Sequence, residues 1–326
     1  MNSAIGPHSR IYVAGHRGMV GSALVRCLRA QGYANLITRA REDLDLADQA
    51  GVNRFMEATQ PDYVFLAAAK VGGILANDTS RGDFIYQNLV IETNVIHAAM
   101  RAGVNGLLFL GSSCIYPRDC PQPIREEYLL SGPFERTNEP YAVAKVAGVK
   151  LCEAFNAQYR TRYVCAMPTN LYGPQDNFDL LTSHMLPALL RKAHAAMLSG
   201  ADTLTVWGSG KPRRELLHVD DLAEACVLLM RKNIGDGMYN IGTGADATVR
   251  ELAEIVMRVV GFGGRLVFDA DKPDGTPRKL LDISRMRGLG WRPRYELEQG
   301  IRQTYQWCLD HDVFDTTLEC ADAGYR

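Results

Sequence analysis

The chain has 326 residues, and its 36 Lys and Arg residues are balanced by 37 Asp and Glu residues. This balance argues against a nucleic-acid-binding surface and against an acidic interaction tail. The apolar fraction is 47%, and the longest apolar runs are only as long as strands, so the sequence predicts no membrane span.

The first half of the sequence alternates short β-rich runs with helical stretches. Strands are predicted at residues 10–15, 35–38, 62–69, 106–113 and 162–173, and helices at residues 19–31, 47–59, 84–102 and 139–159. Thr137 or Asn138 is expected to cap the last of these helices. The alternation predicts an α/β fold with a Rossmann-type, doubly wound parallel sheet that is covered by helices on both faces.

The second half is less regular, and we expect it to build a smaller α/β domain. Helices are predicted at 183–197, 218–232 and 248–261, a strand at 237–242, and a loose tail at 316–326. Asp220 or Asp221 is expected to begin the second helix, and Thr248 and Glu251 have capping-box spacing at the third. The predicted domains are a Rossmann-type domain of residues 1–172 and 215–244 and a smaller domain of residues 173–214 and 245–326.

Three glycines follow the first predicted strand. Gly15, Gly18 and Gly21 have G-x-x-G-x-x-G spacing and lead into the first helix. Glycines allow a tight turn and close approach to a pyrophosphate, which the helix N-terminus then stabilises. We therefore favour a dinucleotide site over a plain tight turn. The loop also contains His16, Arg17, Met19 and Val20.

The residues after the second strand favour NADP(H). An NAD site usually has an acidic residue there to hold the ribose hydroxyls, but this chain has no acid until Glu42. Arg17, with either Arg39 or Arg41, would instead meet a 2′-phosphate. The alternative, that Arg39 and Arg41 are solvated surface charges, stays open. Asp45 and Leu46 are assigned to the adenine.

A candidate catalytic set lies farther along the chain. Tyr141 and Lys145 are four residues apart on one helix face, and Ser112 ends the preceding strand. A nearby ammonium favours the phenolate and would bring the tyrosine pKa toward the working range. A Tyr-x-x-x-Lys pair also occurs by chance, with both residues merely exposed, but its combination with the glycine loop and the serine is more specific.

The eight cysteines form no Cys-x-x-Cys pair, and no histidine spacing indicates zinc. The N-terminal residues contain no apolar segment typical of a signal peptide. We therefore expect no metal site, reduced thiols and a cytoplasmic protein. The cysteines are Cys27, Cys114, Cys120, Cys152, Cys165, Cys226, Cys308 and Cys320.

Over nearly its whole length the sequence resembles the extended short-chain dehydrogenase/reductases that act on nucleotide sugars. The resemblance rests on "AGHRGMVGSA", "AAAKVGGI", "GSSCIYP", "NEPYAVAKVAG", "MPTNLYGP", "WGSG", "HVDD" and "KPDGTPRK". It points to the branch that inverts C3 and C5 of a GDP-linked 4-keto-6-deoxy sugar and then reduces C4 with NADPH. It also implies a homodimer, and the helices at 84–102 and 139–159 carry apolar residues on more than one face.

The resemblance makes Cys114 and His184 the pair that supplies the base and the acid in the two inversions. A thiolate is a competent base if its pKa is lowered, which a neighbouring imidazolium or helix end can do. The alternatives are a packed structural thiol for Cys114 and a helix cap for His184. Related dehydratases have Thr-Asp-Glu where this chain has Ser112-Ser113-Cys114, so we expect no elimination of water.

The resemblance also implies the remaining contacts. Its expected substrate residues are Lys192 and Arg214 at the diphosphate, Trp207 at an apolar or ring face and Asp274 at hydroxyls, with Arg213 as an alternative to Arg214. Its further expected cofactor residues are Leu110, Gly111, Ser112, Ser113, Tyr141, Lys145, Pro168, Thr169, Asn170, Leu171 and His184.

Two other functions compete with an epimerase-reductase. One is a nucleotide-sugar epimerase without net redox change, which Arg17 and the missing acid after the second strand disfavour. The other is an NADP-sensing binding module, which would not need Ser112, Tyr141 and Lys145 together. The substrate could also be a close relative, such as a colitose precursor without the 3-hydroxyl.

Overall fold

The computed structural model describes residues 5–180, 182–272, 274 and 276–315. The predicted tail and Cys320 lie outside these residues. None of the helices in the described part of the chain is long and apolar enough to cross a bilayer.

The elements alternate along the chain as predicted for its first half. The strands are β1 (Ile11–Ala14), β2 (Leu36–Ile37), β3 (Tyr63–Leu66), β4 (Gly106–Leu110), β5 (Tyr163–Pro168), β6 (Asn170–Tyr172), β7 (Thr203–Trp207), β8 (Arg213–Arg214), β9 (Leu216–His218), β10 (Met238–Ile241), β11 (Ala247–Thr248), β12 (Arg265–Asp269) and β13 (Arg278–Lys279). The helices are α1 (Met19–Ala30), α2 (Gln49–Thr59), α3 (Ile74–Thr79), α4 (Arg81–Arg101), α5 (Glu139–Tyr159), α6 (Met185–Ser199), α7 (Val219–Arg231), α8 (Val249–Val260), α9 (Ser284–Gly288) and α10 (Leu297–Asp310).

A six-stranded parallel sheet forms the centre, in the order β10-β5-β4-β3-β1-β2. Its strands are apolar on both faces because helices cover both. Leu24 of α1 and Leu222 of α7 pack on one face, and Met56 of α2 and Val149 of α5 pack on the other. The predicted Rossmann-type, doubly wound sheet is confirmed.

A third apolar cluster holds the smaller part of the fold together. It joins α6, α8 and α10 to the paired strands β7 and β12, through residues such as Leu190, Val256 and Ile301. The predicted capping box at the start of α8 is present: the Thr248 hydroxyl accepts from the Glu251 N–H at 3.1 Å, and the Glu251 carboxylate accepts from the Thr248 N–H at 2.7 Å. The predicted domain boundaries stay a prediction.

Several predicted boundaries are wrong, and hydrogen bonding explains them. The strand predicted at 106–113 ends at Leu110, because the chain turns into a 3-10 helix at Ser113–Ile115. The strand predicted at 162–173 splits into β5 and β6, and β6 pairs with β9 in a separate sheet. The helix predicted to begin on Asp220 or Asp221 begins at Val219, because the His218 ring accepts from the Asp220 N–H at 3.3 Å. The helix predicted at 84–102 begins at Arg81, after the unpredicted α3.

Candidate active site

The predicted cofactor residues line the carboxyl edge of the central sheet, where open α/β sheets bind their ligands. The glycine loop follows β1, residues 110–113 run from the last residue of β4 into the next turn, and residues 168–171 run from the end of β5 into β6. Since β4 and β5 are hydrogen-bonded neighbours, the last two segments lie side by side.

The glycine loop is packed too closely to accept side chains at two positions. Gly15 has a φ of +81°, and a Cβ there would lie 2.8 Å from the backbone of Ala68. A Cβ at Gly21 would lie 2.0 Å from the carbonyl oxygen of Gly15. Gly18 begins α1 without a side-chain cap, and the first turn of α1 has no acidic residue. The positive end of α1 is therefore open to an anion such as a pyrophosphate.

Two arginines follow β2 in the sequence, and a third, Arg17, is joined to this segment through Glu42. Glu42, the first acid after β2, forms a 3.1 Å ion pair with Arg17, and both side chains are exposed. The Arg39 guanidinium lies over the Phe55 ring, 5.5 Å from its centroid, and Arg41 is exposed nearby in sequence. The Arg17–Glu42 pair is exposed and screened by water, so it leaves the Arg17 guanidinium able to contact a phosphate as well.

The other predicted cofactor residues are held by the backbone around them. The Asp45 carboxylate accepts from the Ala47 N–H at 2.9 Å, and the Leu46 carbonyl accepts from Asn94. The Thr169 hydroxyl and the Asn170 amide both donate to the carbonyl of buried Glu215, at 3.2 and 2.9 Å. These bonds fix the two ends of the predicted cofactor site.

Lys145 is buried and fully engaged. Its Nζ forms an ion pair with Glu92 Oε1 of α4 at 2.8 Å, and the two side chains are 2% and 1% exposed. The same Nζ donates to the Leu110 carbonyl at 2.9 Å. Gly148 leaves room for this pair, since a Cβ there would lie 2.8 Å from Glu92 Oε2. The carboxylate of Glu92 thus balances the Lys145 charge.

Tyr141 lies beside this pair and is only partly exposed. The Lys145 Nζ is 5.8 Å from the centroid of its ring. Burial raises the pKa of Tyr141, negative charge on Cys114 and Glu92 raises it further, and a hydrogen bond with Ser112 opposes the rise. The expectation that this pKa lies below its ordinary value is wrong, because burial raises it. Tyr141 therefore keeps its proton at neutral pH, which is the form that a proton donor needs.

Cys114 lies in the 3-10 turn that follows β4. Its N–H donates to the Ser112 hydroxyl at 3.2 Å, which fixes the 3-10 turn after β4. Its Sγ lies 3.5 Å from the Nζ of Lys279. Cys114 is half-buried, whereas Cys152 and Cys165 are buried in the core. Cys27 and Cys120 are half-buried too, so the role of Cys114 as a base stays a prediction.

His184 occupies the N-cap position of α6, but its side chain makes no capping hydrogen bond, so the helix-cap alternative is wrong. Its loop is held against the loop after β3: the Gly73 N–H donates to the Thr182 carbonyl at 2.9 Å, and a Cβ at Gly73 would lie 2.7 Å from the Ser183 carbonyl oxygen. The surrounding protein and then the charge of Lys279 lower the pKa of His184, although the residue keeps an exposed side. The expected imidazolium beside Cys114 is thus replaced by the ammonium of Lys279.

Two lysines lie near the exposed indole of Trp207, one of the predicted substrate residues. Trp207 is 59% exposed. The Nζ atoms of Lys192 and Lys272 lie 5.2 and 5.4 Å from its ring centroid. Burial lowers the pKa of Lys192. An exposed ring with two ammonium groups suits an anionic ligand that carries an aromatic base.

The two neighbouring arginines differ in their partners: Arg213 pairs with Asp246, whereas Arg214 lies near Asp274. Arg213 forms a 2.8 Å ion pair with Asp246, which anchors the small sheet. Burial lowers the pKa of Arg214, while the charge of Asp274 opposes that shift. Asp274 accepts from the Ser209 N–H at 2.8 Å and from its hydroxyl at 2.6 Å. Arg214 donates to the carbonyls of Arg213 and Thr276 at 2.8 and 2.6 Å and, among the described residues, forms no ion pair, so it is favoured over Arg213 as the group that meets the diphosphate.

Glu92, Lys279 and Lys272 were not among the residues predicted from the sequence. Glu92 carries a detectable signal, because its spacing from Asn88 and Ile96 places it on the buried face of its helix. Lys279 and Lys272 flank the "PDGTPR" stretch and have no local signal of their own.

Comparisons with known proteins agree with this geometry. Residues 11–242 match a model of the NAD dependent epimerase/dehydratase family. The chain is 56% identical over 301 residues to GDP-L-fucose synthase 1 of Arabidopsis thaliana, with 92% of this chain and 93% of that protein covered. It is 54% identical over 311 residues to GDP-L-fucose synthase of Escherichia coli (strain K12), with 93% and 97% covered.

A solved structure of a GDP-L-fucose synthetase from Naegleria fowleri bound to NADP has a TM-score of 0.87 with this chain at 27% identity, and 95% of each chain is covered. The family match spans more than half of the sequence and includes the glycine loop, Tyr141 and Lys145. The chain belongs to the NAD dependent epimerase/dehydratase family.

Proposed function

We propose that this chain is an NADPH-dependent epimerase-reductase that converts GDP-4-keto-6-deoxy-D-mannose to GDP-L-fucose. The observation that carries the proposal is the grouping of an ionisable thiol, an ammonium and a neutral phenol around the turn after β4. Relatives that are more than half identical and bear the GDP-L-fucose synthase name support the same reaction.

For the inversions, the thiolate of Cys114 removes a proton from the carbon next to the C4 ketone, and the C–H electron pair becomes an enolate at the C4 oxygen. Ser112 and Tyr141 stabilise that oxygen by hydrogen bonds. His184 returns a proton on the opposite face: its neutral ring takes that proton from solvent, and because its pKa is lowered, the imidazolium so formed is a strong acid. Solvent then resets the thiol and the imidazole.

For the reduction, Tyr141 gives its phenolic proton to the C4 oxygen. Bound NADPH supplies the hydride for C4. The glycine loop and the open end of α1 fit its pyrophosphate, and Arg17 with Arg39 or Arg41 fits its 2′-phosphate. Lys145, held by Glu92 and the Leu110 carbonyl, keeps a fixed position beside the phenol.

The substrate is held by the exposed residues of the smaller part of the fold. Lys192 and Arg214 contact the diphosphate, Trp207 contacts a ring, and Asp274 accepts from hydroxyls. Synthesis of a related sugar such as GDP-colitose, and epimerisation without redox change, are less favoured than this reaction. A homodimer and a cytoplasmic location complete the proposal.

The direct test is NADPH oxidation with GDP-4-keto-6-deoxy-D-mannose, with the product sugar identified by NMR. Formation of GDP-L-fucose supports the proposal. Turnover that leaves NADPH unchanged would instead support an epimerase without net redox change.

Two variants separate the two halves of the reaction. Tyr141→Phe is expected to abolish reduction, because it removes the proton donor at the C4 oxygen. Cys114→Ser is expected to keep NADPH binding but lose uptake of deuterium at C3 and C5, because an alcohol is a far weaker base than a thiolate. Deuterium uptake in heavy water is followed by NMR, and exchange at the wild-type rate in Cys114→Ser would exclude the thiol as the base.

A further inference from the structure

Among the described residues, Lys279 is a charged group without a carboxylate partner. Within the described ranges, no carboxylate oxygen lies within 4 Å of its Nζ, and the ammonium instead faces the sulfur of Cys114 at 3.5 Å. The side chain is half-buried, so the screening of its charge by water is reduced.

The backbone of Lys279 is fixed from two sides. β13 pairs in parallel with β8, with Lys279 opposite Arg214. The Lys279 carbonyl accepts from the Glu215 N–H at 3.3 Å. On the other side, the Leu280 N–H donates to the Gln122 side chain at 2.8 Å. These bonds hold Lys279 in place, so that its ammonium group lies beside Cys114 in the turn after β4.

Among the described titratable groups around Cys114, Lys279 is the one that supplies a positive charge. Tyr141 faces Cys114 from α5 as a neutral phenol. His184 faces Lys279 from the start of α6, and its pKa is lowered. Cys120 also feels the charge of Lys279, but burial raises the pKa of its thiol.

We propose that Lys279 is a positioning residue that holds Cys114 ready as the thiolate base of the epimerisation. The inference rests on the proposed function and deepens it. An adjacent ammonium favours a negative sulfur and disfavours a second positive charge on His184. In the first step the sulfur gains the proton of the substrate carbon, so the thiolate becomes a thiol while the enolate forms. The charge of Lys279 therefore stabilises the sulfur anion that begins the cycle.

The test measures alkylation of Cys114 by iodoacetamide across pH, with each cysteine followed by mass spectrometry and no substrate present. Lys279→Met is expected to slow alkylation of Cys114 at pH 7 about tenfold, because the sulfur anion loses its positive neighbour. Lys279→Arg keeps the charge and should restore most of the rate. Lys150→Met removes an exposed lysine of α5 and serves as the control.

Circular dichroism and NADPH binding establish that each variant is folded, and Lys279→Gln replaces the methionine variant if that one does not fold. A folded Lys279→Met or Lys279→Gln with the wild-type profile at Cys114 would overturn the proposal. Loss of reactivity in Lys279→Arg equal to that in Lys279→Met would also overturn it, because the charge would then not be the cause. Failure of the wild-type enzyme to form GDP-L-fucose would refute the proposed function and leave this alkylation result intact.

Discussion

Replacing Glu92 by leucine is expected to destabilise the fold strongly, because Lys145 would keep a buried charge without an anionic partner. In the native chain Nζ and Oε1 are 2.8 Å apart, and both side chains are at most 2% exposed. Removal of one partner of such a pair costs about 3–5 kcal/mol in the free energy of unfolding. Glutamine keeps an oxygen that can accept from the ammonium, so Glu92→Gln is expected to lose about 1.5–3 kcal/mol.

Urea unfolding followed by circular dichroism measures both losses. The Lys150–Glu153 pair is a matched control, since its separation is also 2.8 Å but its side chains are 49% and 48% exposed. Glu153→Gln is expected to change the free energy of unfolding by less than about 1 kcal/mol. If Glu92→Leu lost no more than Glu153→Gln, Lys145 would not depend on the carboxylate and the reasoning would fail.

The same substitution has a kinetic signature. Negative charge on Glu92 raises the pKa of Tyr141, so its removal in Glu92→Gln should lower that pKa. The proton donor would then be lost at lower pH, and the alkaline limb of the single-turnover reduction rate should move in that direction. A limb that moved to higher pH would contradict this account.

Three further predictions use other parts of the molecule. Arg17→Ala should weaken NADPH binding much more than NADH binding in a fluorescence titration, and equal losses would exclude Arg17 from the 2′-phosphate. Burial raises the pKa of Asp176 from 3.8 to about 7, so its ionisation costs folded-state stability as the pH rises through this range. Asp176→Asn should therefore gain about 1–3 kcal/mol on wild type between pH 4 and pH 8, and an equal difference at both pH values in urea unfolding would refute this. Sedimentation at micromolar protein should show a homodimer formed through α4 and α5, where Tyr86 and Val143 are exposed, and a monomer alone would contradict it.

Local signals in the sequence were sufficient for much of the fold. The helix predicted at 139–159 is confirmed at both ends, because Pro140 suits only a first turn and the apolar pattern continues to Tyr159. The capping box at Thr248 and the glycine loop after β1 are also read from residues a few positions apart. Such features depend on near neighbours in the chain, which a single sequence displays.

The missed features depend on distant pairing. β13 has two residues, too few to show any periodicity, and only its pairing with β8 brings Lys279 to Cys114. The strand expected through Ser113 ended early because the Ser112 hydroxyl accepts from the Cys114 N–H, a choice that strand propensity does not reveal. The raised pKa of Tyr141 is not predicted from the sequence because its largest cause is burial by the folded chain, and the negative charge of Glu92 comes from another helix.

The two lysines of the site differ in their countercharges, and this difference explains how one cleft can support a proton donor and a proton acceptor together. Glu92 balances Lys145 at 2.8 Å, so the ammonium orders the site while the nearby phenol stays neutral. Lys279 has no such partner among the described side chains, so its field reaches Cys114 and His184. An added carboxylate beside Lys279 would therefore weaken the base, whereas loss of the carboxylate beside Lys145 would lower the pKa of Tyr141 and leave less of the phenol protonated at high pH.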